Sequence, residues 1–201
     1  MDGMRGIADL DYALESARAG EARGYEALFH ALGGSVAAYL RARSVSDPDD
    51  LANEVFLRAF RTLPTFRGDS ERFKSWLFTI AHHAAIDDKR RRARRVSEVP
   101  LPDRNGDGTG DPGGDVEHEA LASLAGDRVR ALLDQLSPDQ RDVLLLRVVG
   151  DLSAEQTAEA LGKTYEAVKA LQRRGLAALR RLMPPIERAP EPGNRTQGVP
   201  Q

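Results

Sequence analysis

The densest set of chemically useful side chains lies between Lys163 and Met183, where six basic residues accompany a single acid, Glu166. Lys169, Arg173 and Arg174 can pair with phosphate, and Gln172 and Arg173 carry planar groups suited to base edges. Arg180 and Arg181 extend the basic character of the same predicted helix. A second basic run, Lys89 to Arg95, holds six cations in seven positions. Between the two runs, Asp103 to Asp127 holds seven acids and one arginine. The formal net charge of −2 therefore averages over two positive patches and an acidic strap, a pattern compatible with binding phosphates at two places.

A helix-turn-helix is what must position the first set. Leu136 to Met183 reads as three helical patterns end to end. Gly162 closes the middle one, and Lys163 and Thr164 start the last. Ala158 lies four residues before that glycine and Val168 six after it. A small residue lets two helices approach, glycine takes a left-handed turn, and an apolar residue seats the second helix on the first. A basic helix held this way fits the major groove.

The rest of the chain is also patterned for helices. Residues 8–43 read as helices interrupted near Gly20 and Gly33–Gly34. Asp47–Pro48 is a start signal for a helix reaching Arg61, with Leu51, Val55, Phe56, Ala59 and Phe60 on its apolar face. Leu63–Pro64 stops it. Ser70 is then expected to cap a long helix over about residues 71–92, striped by Phe73, Trp76, Leu77, Ile80, Ala81 and Ala84. The fold class is all-α: two small helical domains, residues 1–95 and 118–183, joined by a flexible acidic linker at 96–117. The C-terminal domain contains the helix-turn-helix, and a Pro-rich tail at 184–201 reads as disordered.

Other chemistries fit poorly. His82 to Asp87 reads HHAAID, a spacing used in acyl-transfer catalysis, but Asp88 stands where such sites carry glycine. On a helix, His83 and Asp87 are simply an i,i+4 pair. Adjacent histidines on a helix point about 100° apart, which argues against a metal held by His82, His83 and Asp87. DRNGDG, from Asp103, begins like a calcium loop, yet its twelfth position is Gly114 instead of a bidentate acid. The chain has no cysteine, so disulfide and zinc-thiolate chemistry are excluded from it. No cofactor, no metal and no enzymatic activity are expected. The N-terminus lacks the apolar core of a signal peptide, no apolar run approaches membrane-spanning length, and the expected compartment is the cytoplasm, without membrane contact of its own.

Two stretches resemble the extracytoplasmic-function (ECF) sigma factors of bacterial RNA polymerase. DLANEVFLRAFRTLPTFRGDSERFKSWLFTIAHHAAIDDKRR, from Asp50, resembles sigma region 2, and LSPDQRDVLLLRVVGDLSAEQTAEALG with its following helix resembles region 4. The likeness covers about residues 8–95 and 118–183. It implies a promoter-specificity subunit whose partners are core RNA polymerase, promoter DNA and an anti-sigma factor. Core polymerase would dock on Asp50, Leu51, Asn53, Glu54, Leu57 and Arg58. The melted −10 element would be held by Phe66, Arg67, Ser70, Lys74, His82, His83, Lys89 and Arg90. The duplex −35 element would be read by the recognition helix, through Thr164, Tyr165, Glu166, Lys169, Ala170, Gln172, Arg173 and Arg174. The linker acids Asp103, Asp107, Asp111 and Asp115 would imitate a nucleic-acid backbone inside the polymerase cleft. The alternative is a free-standing helix-turn-helix regulator with an N-terminal sensing domain. A ligand pocket in the N-terminal half would favour that reading.

Overall fold

A computed structural model describes residues 2–98, 126 and 128–183. The acidic stretch around DRNGDG and the C-terminal tail lie outside the described residues. Among those described, every regular element is helical. Helix α1 spans Asp2–Arg18, α2 Ala22–Ala42, α3 Pro48–Thr62 and α4 Ser70–Glu98. Residues 128–134 are helical, followed by α5 (Pro138–Val148), α6 (Ala154–Leu161) and α7 (Tyr165–Leu182).

Helices α1 and α2 form a hairpin around Gly20, whose φ of 80° is the left-handed value a tight turn needs. The expected break at Gly33–Gly34 does not occur, and α2 runs straight through both. Leu28, Leu32, Val36, Tyr39 and Leu40 form a buried stripe on either side of the pair. That burial outweighs a glycine cost of about 1 kcal/mol per position.

Helix α3 starts as its sequence dictates: Asp47 Oδ1 accepts from the Asp50 N–H at 3.0 Å, with Pro48 in the first turn. It ends in a single 3-10 turn at Leu63–Thr65. The cap of α4 is Asp69, one residue earlier than expected. Its carboxylate accepts from the Arg72 N–H at 2.9 Å, while Ser70 is buried and donates its N–H to Asp11 Oδ1 at 3.0 Å. Helix α4 also continues to Glu98, into the segment assigned to the linker. Arg, Ala and Glu are good helix formers, and cations suit the C-terminal end of the helix dipole. Arg92 anchors this extension, donating to Ser44 O at 2.6 Å and pairing with Asp88 at 3.1 Å.

In the C-terminal half, Ser137 and Ser153 each cap a helix reciprocally with a glutamine three residues on, Gln140 and Gln156. Gly162 adopts φ 59° and ψ 36°, and the Lys163 N–H reaches back to Ala158 O at 2.9 Å. Thr164 caps α7 by accepting from the Ala167 N–H at 3.2 Å. Ala158 and Val168 meet in a small core with Val143 and Leu171, so the predicted helix-turn-helix is present.

The two halves are packed together. One hydrophobic core includes residues of α1–α4 and also Leu133, Leu136, Leu144, Leu145, Leu146, Leu152 and Ala160. Helix α6 lies against α4. The Gln156 side chain donates to Glu71 O at 3.3 Å, and Lys74 reaches Asp151 at 3.4 Å. Arg43 and Asp142 form a largely buried ion pair across the same junction.

Candidate nucleic-acid interface

Helix α7 carries the predicted −35 residues that follow Thr164 on two adjacent faces. Tyr165, Lys169, Gln172, Arg173 and Leu176 share one face of α7 and line an open groove of about 580 Å³. The Lys169 ammonium sits 5.5 Å from the Tyr165 ring centroid, a cation–π contact that holds it over the groove. Glu166, Ala170 and Arg174 occupy the adjacent face. Thr164 is exposed, but its hydroxyl oxygen is engaged in capping.

The opposite wall of the groove comes from residues the sequence reading missed: Arg147 at the end of α5, and Ser153 and Glu155 at the start of α6. Arg147 donates to Leu152 O, which ties the turn before α6. The Glu155 carboxyl is held below its ordinary value, first by its own backbone N–H, then by the Ser153 hydroxyl, with Arg147 and Lys169 adding. No periodicity links these positions to α7; only folding brings them together.

The outer face of α3 exposes Asp50, Asn53, Leu57 and Arg58, with Glu54 partly covered. Leu57 is 55% exposed, and Arg58 pairs with Glu54 at 2.6 Å. Leu51 does not belong to this patch. It is 6% exposed and lies in the core, one turn before Val55 on the inward stripe, so its assignment to polymerase binding is corrected.

The loop after α3 places Phe66 as half plug, half platform. Its ring stacks on Trp76, with centroids 5.1 Å apart and planes at 24°, and meets the Phe73 ring edge-on. Trp76 is only half-buried, so it belongs to this aromatic surface as well as to the core edge. Arg18, distant in sequence, lies 5.6 Å over the Phe66 ring and donates to Gly68 O at 2.5 Å. Arg67 is exposed and braces the loop through Pro64 O and Phe66 O. His83, Lys89 and Arg90 are exposed along α4.

Three members of the predicted −10 set are not free. Ser70 is buried at the start of α4. Lys74 is 9% exposed and paired with Glu71 and Asp151. His82 is 6% exposed and hydrogen-bonded to the Tyr39 hydroxyl at 3.0 Å. Burial pushes the His82 imidazole down to about 4, with Arg43, His83 and Lys163 adding unfavourable charge. His82 is thus a neutral core residue in this arrangement, because its stripe on α4 faces α2. No cluster of acids and histidines among the described residues has the geometry of a metal site. No described helix is long and apolar enough to cross a membrane.

A helical module with an exposed mixed face and an aromatic-basic loop, packed against a basic helix-turn-helix, has the architecture of a two-module nucleic-acid-binding protein. The family model for Sigma-70 region 2 matches residues 28–95, and that for Sigma-70 region 4 matches residues 126–179. The chain is 33% identical over 189 residues to the ECF RNA polymerase sigma factor BldN of Streptomyces coelicolor, spanning 90% of this chain and 70% of BldN. It is 35% identical over 179 residues to the ECF RNA polymerase sigma factor SigD of Mycobacterium bovis, spanning 85% of this chain and 82% of SigD. Its fold superposes on CnrH, solved in complex with the cytosolic domain of CnrY, with a TM-score of 0.63 at 26% identity over 87% of this chain and 97% of CnrH. The chain belongs to the ECF RNA polymerase sigma factors and is a transcription initiation factor.

Proposed function

We propose that this sigma factor divides its work among three surfaces. Asp50, Asn53, Glu54, Leu57 and Arg58 on α3 dock on core polymerase. Phe66, Arg67, Trp76, His83, Lys89 and Arg90 hold the unpaired −10 strand by stacking and phosphate contact. The α7 groove reads duplex −35 DNA, with Gln172 and Arg173 toward base edges and Arg147, Lys169 and Arg174 toward phosphates. Residues 1–95, extended to Glu98 by α4, form the polymerase and −10 module, and residues 118–183 form the −35 module. The action is binding and strand opening, without bond-making chemistry of its own, in the cytoplasm alongside the polymerase. An anti-sigma protein is the expected inhibitor, as the family resemblance implies; the CnrH complex with CnrY provides a precedent for a protein partner.

The observation that carries this reading is the coexistence of an exposed α3 face around Leu57 with a basic α7 groove. A sensing domain would not need the first. The test is reconstitution with sigma-free core polymerase on a promoter library, read by run-off transcription. Discrete start sites dependent on the chain are expected. Tight duplex binding without core association would instead establish the free-standing regulator.

A further inference from the structure

Two side chains of α1 hold the loop that carries Phe66. Asp11 and Arg18 lie on one line of the helix, with Leu14 between them. Leu14 is buried, and with Ala13 and Ala17 it seats α1 on the core. Asp11 and Arg18 are half-buried beside that stripe, and their polar ends go to the loop.

Arg18 takes the middle of the loop. One guanidinium nitrogen donates to Gly68 O at 2.5 Å, another pairs with Glu15 on the same helix, and the group lies 5.6 Å over the Phe66 ring. Asp11 takes the end, where its Oδ1 accepts from the Ser70 N–H at 3.0 Å. Between these points the loop has little room for another shape. Phe66 donates its N–H to Leu63 O at 3.0 Å, and a Cβ placed on Gly68 would lie 2.9 Å from Arg72 Cβ and 3.2 Å from the Phe66 ring. Trp76 stacks on the same ring from α4. The platform is thus fixed from α1, the 3-10 turn and α4 together. Fixing a loop backbone costs conformational entropy. A loop already held meets that cost on folding, not when a base arrives, so it captures an unpaired strand faster and more tightly.

We propose that Arg18 and Asp11 are positioning residues for strand capture, acting through the Phe66–Ser70 loop to set its ring and backbone in the form that receives an unpaired −10 base. This rests on the reading that the Phe66 loop holds the unpaired strand. Both residues precede residue 28, where the region 2 match begins, so the contribution comes from outside the matched segment.

The experiment uses holoenzyme reconstituted from core polymerase and the full chain, on a thymine-containing promoter recovered by run-off transcription. Permanganate reactivity of unpaired thymines follows strand opening in time, and its dependence on holoenzyme concentration separates initial binding from the opening rate. Arg18→Ala is expected to slow opening about five- to tenfold, with core association and initial binding unchanged. Arg18→Lys, which keeps a cation near the ring, recovers part of the loss. Asp11→Asn keeps an acceptor for the Ser70 N–H and opens at nearly the wild-type rate, whereas Asp11→Ala is slowed. The discriminating measurement is the cycle with Phe66→Ala. Because Arg18 acts through the loop, adding Arg18→Ala to Phe66→Ala should slow opening by less than about a further twofold. Should circular dichroism show that Arg18→Ala does not fold, Arg18→Gln, which keeps a donor for Gly68 O without the charge, takes its place in the cycle. Full multiplication of the two single effects would overturn the positioning role, as would equal loss of core association and opening in the Arg18 variant. A slow Phe66→Ala beside a wild-type Arg18→Ala would overturn the positioning alone. Phe66→Ala opening at the wild-type rate would overturn the −10 reading itself.

Discussion

His82 shows how a single side chain in a predicted site can be diverted to stability. Its imidazole is 6% exposed, bonded to the buried Tyr39 hydroxyl, and depressed to about 4 chiefly by burial. An unfolded histidine titrates near 6.5. Between these values the unfolded chain binds the extra proton and the folded chain does not, so stability rises with pH in that window. His82 thus contributes fully above about pH 6.5, and its contribution is lost as pH falls toward 4. From pH 6.5 to 5 the loss approaches about 1.4 kcal/mol per pH unit. Urea denaturation of the wild type should show this slope. His82→Gln, which retains a hydrogen-bonding partner for Tyr39 but cannot titrate, should be nearly flat over the same range. Parallel slopes in the two proteins would show that His82 is protonated in the fold.

At the scale of elements, two glycines of α2 make opposite predictions. Gly24 sits where α1 and α2 cross most closely: a Cβ there would lie 2.2 Å from Ala17 N and 2.7 Å from Ser16 C. Both obstacles are backbone, so neither can rotate aside. Gly24→Ala should cost about 2 kcal/mol or more through forced separation of the hairpin. Gly34 lies inside a helix, and a Cβ added there would meet nothing within 4 Å. Gly34→Ala should therefore stabilise by about 0.5–1 kcal/mol. Chemical denaturation of the two variants checks both signs, and a neutral Gly24→Ala would mean that the hairpin tolerates separation. These glycines also show why sequence reading succeeds for some elements and fails for others. The turn at Gly162 is legible because Ala158, Gly162 and Val168 carry their meaning in local spacing. The continuity of α2 through Gly33–Gly34 is not, since it depends on what Leu32 and Val36 bury against. The start of α4 falls one residue from its expected place because Asp69 and Ser70 are both good caps, and Asp11, on another helix, decides between them. Arg147 and Arg18 are invisible as site residues for the same reason: their partners are remote in the chain.

For the molecule as a whole, the identity of each half is readable from its motifs, while their embrace is not. Nothing in the local pattern of Gln156 or Asp151 announces that they face Glu71 and Lys74. The exposed α3 face and the open α7 groove are both accessible in this arrangement, so their contributions can be tested separately. Leu57 is 55% exposed and lies on the α3 face away from the shared core, whereas Arg173 lines the α7 groove. Leu57→Asp should weaken association with core polymerase by an apolar contact's worth, about 1.5–3 kcal/mol, or roughly 10- to 100-fold, and lower transcription from all its promoters together. Arg173→Glu should leave core association unchanged and reduce promoter-specific initiation by about 5- to 150-fold, the loss expected from removing a base-edge contact worth about 1–3 kcal/mol. Core pull-down and run-off transcription, performed side by side on both variants, separate the two effects. Equal loss of core binding and start-site selection in either variant would contradict the division of labour, because Leu57 on α3 and Arg173 in the α7 groove belong to separate surfaces.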